Sequence, residues 1–384
     1  MIVVTAIAQK QQMKLLIEDQ FQFARQQYKI LAKNVSPTLM PKTYYQQSGK
    51  IETSNTKWWC SGFFPGSLLY IYEYTGDTAI LSEAKRRLNI LEKEKHFTGN
   101  HDLGFMMFCS FGNAYRILKD PSYRKTIDTA AASLSTRYRP NAQVIQSWNA
   151  NKKWGGPVII DNMMNLELLN WVSDNGGDQK FKEIAIKHAD QTLKNHFRPD
   201  YSSYHVIDYD MNTGEVVKKE TAQGAADDSA WSRGQGWGLY GYVMMFRATQ
   251  DKRYLNQAKN IANFIINHPN LPKDKIPYWD FNAPTIPDPK TYRDASAAAI
   301  IASALLELGQ YTNKQERNQY VGIAEKMLTS LSTAAYRAKL GENGGFLLMH
   351  STGSLPGNSE VDVPLTYADY YYLEALLRYK NWYL

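Results

Sequence analysis

Two kinds of helical segment alternate along the sequence, and that alternation leaves very few folds open. One set is amphipathic and charged, at residues 13–32, 79–95, 121–138, 178–195, 251–267 and 314–331. Several of these open on a turn with a polar then aromatic start, as in Thr75-Gly76-Asp77, Lys119-Asp120-Pro121-Ser122-Tyr123, Gly176-Gly177-Asp178 and Gln250-Asp251-Lys252-Arg253-Tyr254. Apolar residues then recur at helical spacing, for example Tyr254, Ala258, Ile261, Ala262 and Ile265. The second set is apolar nearly all round and rich in Gly, Ala, Met and Tyr, at residues 62–74, 102–118, 161–172, 229–248, 294–308 and 367–379. A helix with no polar face has to be covered on every side. Six such helices wrapped by six amphipathic ones make a closed double ring. The expected fold is therefore all-α: an (α/α)6 barrel, or toroid, of six inner and six outer helices in one domain over residues 1–384. Short β decorations are expected, notably around residues 204–217, where Met211-Asn212-Thr213-Gly214 supplies a turn. A solenoid of helix pairs and a pair of bundles are the competing arrangements.

Several function classes drop out. No apolar run approaches the ~20 residues that cross a bilayer; residues 295–306 come nearest and carry two serines. Cys60 and Cys109 cannot build a disulfide framework and form no CxxC pair, so both are expected to be buried, inert thiols. The seven histidines include no HxxxH or HExxH spacing, which argues against a zinc site. The net charge of +7 suits an acidic partner, but no block of like charges reads as a nucleic-acid arm. Aromatic residues reach 13% of the chain, with 9 Trp, 26 Tyr and 14 Phe. Aromatic faces stack on the C–H faces of sugars, which raises carbohydrate binding above nucleotide chemistry. Residues 1–10 read either as the remnant of a secretory signal, ending in Ala6-Ile7-Ala8, or as a flexible tail.

In a ring of this kind the inner helices run parallel and gather their N-termini at one mouth. Five of the six are expected to begin at an aspartate: Asp102, Asp161, Asp228, Asp294 and Asp369. Each can serve as a helix cap. Together they form a pool of carboxylates for acid/base work, and the helix dipoles add positive potential that favours an anionic ligand.

The phrases around these aspartates are more specific than the caps. They are His101-Asp102-Leu103-Gly104-Phe105-Met106-Met107, then Ile159-Ile160-Asp161-Asn162-Met163-Met164-Asn165, then His205-Val206-Ile207-Asp208-Tyr209-Asp210. A long run follows, from Thr221-Ala222-Gln223-Gly224 through Asp227-Asp228-Ser229-Ala230-Trp231-Ser232-Arg233-Gly234-Gln235-Gly236-Trp237-Gly238. With Trp59…Gly62-Phe63-Phe64-Pro65-Gly66, Ile276-Pro277-Tyr278-Trp279-Asp280, Arg293-Asp294-Ala295-Ser296 and Tyr370-Tyr371-Tyr372-Leu373-Glu374-Ala375, the chain resembles the unsaturated glucuronyl hydrolases, glycoside hydrolase family 88. The matches run in order from about residue 58 to 378.

That resemblance implies the same toroid and a reaction on oligosaccharides that polysaccharide lyases leave with a 4,5-unsaturated uronic acid at the non-reducing end. A general acid protonates C4 of the enol ether, water adds at C5, and the hemiketal collapses. One carboxyl of raised pKa can act as acid and then as base, so neither a metal nor an organic cofactor is implied. By the family match Asp161 is the acid/base, and the apolar residues Val158, Ile159, Ile160, Met163 and Met164 around it would raise its pKa. Asp102 matches the second essential aspartate, which holds the ring and steadies charge. His101 and His205 match pocket-lining positions. Thr221, Gln223 and Arg233 match contacts to the unsaturated ring, Arg233 with a fixed cationic fork. Trp59, Trp148 and Trp237 match aromatic platforms, and Tyr370–Tyr372 reads as core.

Substrate class rests on the final loop, His350 to Asp362. In relatives suited to sulfated glycosaminoglycans, hydroxyls and a lysine there hold sulfate. Here Ser351, Thr352, Ser354 and Ser359 supply hydroxyls, the lysine is missing, and Glu360 and Asp362 would repel sulfate if they faced it. Net charge still favours polyanionic, glycosaminoglycan-derived substrates. An unsaturated rhamnogalacturonyl hydrolase, a polysaccharide lyase and a non-catalytic carbohydrate-binding toroid are the alternatives. The expected home is a bacterial periplasm or cytoplasm, and neither that choice nor the oligomeric state can be read from the residues.

Overall fold

The chain folds as two concentric rings of helices, seen in a computed structural model that describes residues 2–384. Among the described residues there are twelve long helical segments. The outer ones are α1 (Ile2–Asn34), α3 (Thr78–Leu91), α5 (Pro121–Ser135), α7 (Lys180–Asn195), α9 (Lys252–Asn267) and α11 (Lys314–Leu331). The inner ones are α2 (Phe63–Thr75), α4 (residues 103–118), α6 (Asn162–Asp174), α8 (Ser232–Thr249), α10 (Ala295–Gln310) and α12 (Thr366–Tyr383). Each inner helix packs on the next and α12 returns to α2, so the ring closes and a solenoid is excluded. One buried cluster draws residues from all twelve, from Phe21 on α1 to Tyr372 on α12. The backbone from Ile2 to Asn34 is one continuous helix, α1.

Connections at the two ends of the ring differ in kind. At the far mouth the first five inner helices turn straight into their outer neighbours. Gly76, Lys119 and Gln250 take left-handed φ of 69°, 57° and 60°, and the next residue, Asp77, Asp120 or Asp251, caps the outer helix by accepting its first free N–H groups. This explains the repeated turn-and-aspartate phrase in the sequence. At the near mouth the connections are long and carry all the strands: β1 (Met40–Tyr45) with β2 (Lys50–Ser54), β3 (Tyr138–Arg139) with β4 (Val144–Ile145), the sheet β5 (Pro157–Ile159), β6 (Val206–Tyr209) and β7 (Val216–Glu220), and the hairpin β8 (Ser351–Ser354) with β9 (Ser359–Val363). The hairpin expected around residues 204–217 is β6–β7.

Two of the five expected helix-start aspartates are displaced. Asp228 is exposed in the loop before α8, whose N-cap is Trp231. Asp369 sits inside the first turn of α12, where it accepts from the backbone of Leu347 and Leu348 and from Tyr28 Oη at 2.9, 3.0 and 3.1 Å. Helix α4 departs from regularity by a π-turn at Phe108–Gly112 that periodicity does not reveal. No described helix is long and apolar enough to cross a membrane.

Candidate active site

Asp161 stands where strand β5 runs into α6, and Asp102 at the start of α4. Both occupy N-cap positions, yet neither side chain accepts a capping hydrogen bond. Asp294, at the start of α10, does cap, accepting from Ser296 and Ala297 N–H. The two uncapped carboxyls are each 8% exposed. Burial pushes Asp161 up to about 7, with the Arg233 charge and the Trp237 indole N–H pulling back. Burial pushes Asp102 up to about 8, helped by the charge on Asp161 and opposed by Arg137. A charge on Asp161 favours the protonated form of Asp102.

Each aspartate faces a buried histidine, and for His205 the tautomer is defined. His205 Nδ1 accepts from the backbone N–H of Ala222 and Gln223, at 3.0 and 3.1 Å, so it carries no proton. Burial also holds the ring well down, at about 3, so it is neutral. The proton therefore lies on Nε2, which points at Asp161 Oδ2 across 3.7 Å. Neither atom has a hydrogen-bond partner, and both are buried. Such a gap is costly unless another group fills it. Trp231 stacks against the imidazole at 4.6 Å and fixes its plane. At the second pair, Ser147 Oγ accepts from Ile159 N–H at 2.9 Å and lies within hydrogen-bond distance of His101 Nδ1 at 3.3 Å. His101, likewise held near 3 by burial, faces Asp102 Oδ1 with its Nε2 at 3.3 Å.

Arg233 is a buried cation tied to the loops around the site. Its guanidinium donates to Asp294 Oδ2 at 2.9 Å and to the carbonyls of Thr352 and Gly353 at 2.6 Å each. It lies over the rings of Trp231 and Tyr367. What it sends toward the site is potential rather than a free fork. Trp237 is fully buried, packed between Phe105 and Tyr371, so it is no platform for a sugar. Its indole N–H is aimed at Asp161 without closing a hydrogen bond. Trp59 is half-buried against Phe63, Phe105 and Tyr367, and Trp148 half-buried against Trp154 at 5.6 Å, so both keep ring surface at the mouth.

Thr221 and Gln223 lie on the loop before α8. Thr221 Oγ1 accepts from Gly224 N–H at 2.8 Å, and Gln223 Nε2 donates to Gly353 O at 3.0 Å. Ser351 is fully buried on β8 and its hydroxyl has no protein partner. In the final hairpin His350, Glu360 and Asp362 all adopt left-handed backbone, with φ of 62°, 55° and 54°, a cost that regular strands avoid. Gly353 is required there, because a Cβ on it would meet the Glu360 side chain at 2.7 Å. Neither acid stands alone: Asp362 meets His350 at 2.7 Å, and Glu360 lies 3.6 Å from Lys42 on β1. The cation missing from the hairpin thus arrives from some three hundred residues away.

Sequence reasoning missed Lys42, Ser147, Trp231 and Asp280. Asp280 is fully buried and accepts from Ala225 N–H, Ser229 Oγ and Asn282 N–H, which shapes the loop that fixes His205. It was legible only as part of the phrase Ile276 to Asp280. Both cysteines are free, Cys60 buried and Cys109 half-buried, and burial raises both thiols. Among the described residues no group of three His, Cys, Asp or Glu side chains is arranged to hold a metal.

The profile of Glycosyl Hydrolase Family 88 matches residues 31–383. An unsaturated glucuronyl hydrolase of Formosa agariphila is 48% identical over 85% of this chain and 81% of its own. An unsaturated chondroitin disaccharide hydrolase of Streptococcus pyogenes is 35% identical over 85% and 82%. The crystal structure of an unsaturated glucuronyl hydrolase specific for heparin superposes with a TM-score of 0.92 at 45% identity, over 95% of this chain and 97% of that one.

Proposed function

We propose, from the premise that the chain belongs to glycosyl hydrolase family 88, that it removes the 4,5-unsaturated uronic acid from the non-reducing end of lyase-generated, glycosaminoglycan-derived oligosaccharides. It is a glycosidase of the unsaturated glucuronyl hydrolase type, and the bond it attacks is the enol ether double bond. The relatives named for glucuronyl, chondroitin-disaccharide and heparin substrates support the glycosaminoglycan assignment.

The observation that carries the mechanism is the uncapped, buried Asp161, held up to about 7 and facing His205 Nε2–H. In the protonated form its carboxyl delivers a proton to C4. Water adds at C5, and the Asp161 carboxylate takes the proton that water loses, so the carboxyl ends as it began. The C5 hemiketal opens to a ketone, and the hemiacetal left at C1 releases the shortened sugar. Asp102, still protonated beside an ionised Asp161, can donate to a ring hydroxyl and steady the developing charge. The His205 N–H is an oriented donor for the uronate, and His101 stands beside Asp102. Arg233 adds positive potential from behind, and Gln223, Thr221, Trp59 and Trp148 line the approach. The Ser351 hydroxyl is a further contact for the sugar beyond the scissile bond.

The test is the ultraviolet absorbance of the substrate. Incubation with unsaturated disaccharides from heparin, chondroitin and hyaluronan should make that absorbance fall. A rise on intact polysaccharide would identify a lyase, and no change on any of them would leave a binding protein. A marked preference for gellan or xanthan fragments would overturn the glycosaminoglycan assignment.

A further inference from the structure

The mouth opposite the aspartates also opens into a cavity, of about 480 Å³. That is within the range of pockets that hold small ligands. Its walls come from α2, α4, α6, α8 and α12. Toward the centre it ends at Phe105 and Tyr371, whose rings pack on Trp237 at 5.1 and 5.4 Å. An aromatic floor thus divides it from Asp161.

The arginines and glutamates in the wall are paired, while Lys119 stands exposed over the Tyr115 ring. Arg116 holds Glu73 through two bonds of 2.6 Å. Arg247 lies between Glu167 at 2.5 Å and Glu307 at 3.2 Å. Arg378 touches Glu307 at 3.0 Å and Glu374 at 3.6 Å. An entering anion would compete with these carboxylates and an entering cation with these guanidiniums. A hydroxyl both donates and accepts, and is served by both. Aromatic rings complete the wall: Trp171 and Tyr115 meet edge to face at 5.6 Å, and Trp382 stands 39% exposed at the rim. Arg124 lies over the Trp171 ring at 5.0 Å and Arg378 over the Trp382 ring at 5.3 Å, which leaves the opposite side of each ring for a ligand. Planar donor–acceptor pairs beside aromatic rings suit a sugar, with its hydroxyl edge and its C–H faces. The π-turn of α4, Phe108–Gly112, lies in this wall, and such turns recur at functional sites.

We propose that the far mouth is a second binding site, for a neutral saccharide of one or two rings, separate from the mouth that takes the uronate. Saturation-transfer NMR on the full chain, with N-acetylglucosamine and cellobiose as probes, tests it. Saturable binding of at least one probe is expected. Trp382→Ala, at an exposed position, should weaken it at least ~10-fold, about what one aromatic contact contributes. Trp171→Ala should do the same, while Gln223→Ala at the catalytic mouth should leave it unchanged. The proposal fails if neither probe binds saturably, or if binding is indifferent to both tryptophan variants. It fails equally if Gln223→Ala abolishes binding, which would place the saccharide in the catalytic mouth.

Discussion

Asp161 and Glu307 are carboxyls of the same inner ring, both buried, and their acidities move in opposite directions. Burial pushes each upward. At Glu307 the charges of Arg247 and Arg378 overcome that push, and the group stays below its ordinary range. At Asp161 the cation in range, Arg233, is spent on Asp294 and two carbonyls, so burial prevails and the carboxyl reaches about 7. The difference lies in what the neighbouring guanidinium touches rather than in depth. One mouth of the ring keeps carboxyls that can hold a proton near neutrality, whereas at the other Glu307 is held as a fixed charge.

Replacing Asp161 breaks this contrast most severely. Asp161→Asn should lower turnover by ~10²–10⁴ while substrate binding persists, because the amide keeps the shape and loses the proton. Single-turnover absorbance decay together with equilibrium binding separates the two effects, and near-normal turnover in a folded variant would reject the assignment. Arg378→Met attacks the other side. It leaves Glu307 with the Arg247 guanidinium alone and Glu374 with hydroxyl partners only, and should cost about 1–3 kcal/mol of unfolding free energy, read from denaturant midpoints. If the loss is below 1 kcal/mol, the far-mouth carboxylates are not held by their arginines.

Two smaller effects sharpen the comparison through pH. Asp102 and Asp161 bind protons more tightly folded than unfolded. Stability is therefore full below the unfolded value near 4 and is lost as pH rises through about 7 and 8. Asp102→Asn removes one of these groups and should gain about 1–3 kcal/mol at pH 8, with no gain at pH 4. With Asp161 as the proposed acid, turnover should fall as pH rises through about 7. Trp237→Phe deletes the N–H that favours the carboxylate, so this alkaline limb should move up by about half a pH unit with KM little changed. A downward move would mean that the indole acts otherwise.

The ring was legible because its causes are local. Helices with no polar face, such as residues 294–308, have to be enclosed, and the turn-and-aspartate phrases that recur at Asp77, Asp120 and Asp251 mark the tight corners. Asp161 stood out as an aspartate in apolar surroundings, and Asp102 by its resemblance to the second essential aspartate of the family. What failed to show depends on residues distant in sequence. Arg233 reads as a free cation until Asp294 and the Thr352–Gly353 carbonyls are brought against it. Trp237 reads as a sugar platform until Phe105 and Tyr371 close over it. Lys42 reads as one lysine among many until β1 lies beside the final hairpin. The expectation at Asp228 failed for a local reason, since the helix starts at Ser232, after the loop that Asp280 shapes.

The unequal connections at the two ends have an evolutionary corollary. Inner helices pass into outer ones through as few as two residues, Gly76-Asp77 or Gln250-Asp251, whereas the returns span intervals such as 136–161, 196–231 and 332–365. Insertions and exchanges are tolerated in long surface connections and not in tight corners whose backbone is committed. New substrate ranges can thus be acquired by rewriting the returns around Asp102 and Asp161 while the ring keeps its packing. The opposite mouth can diverge only by side-chain replacement, one position at a time.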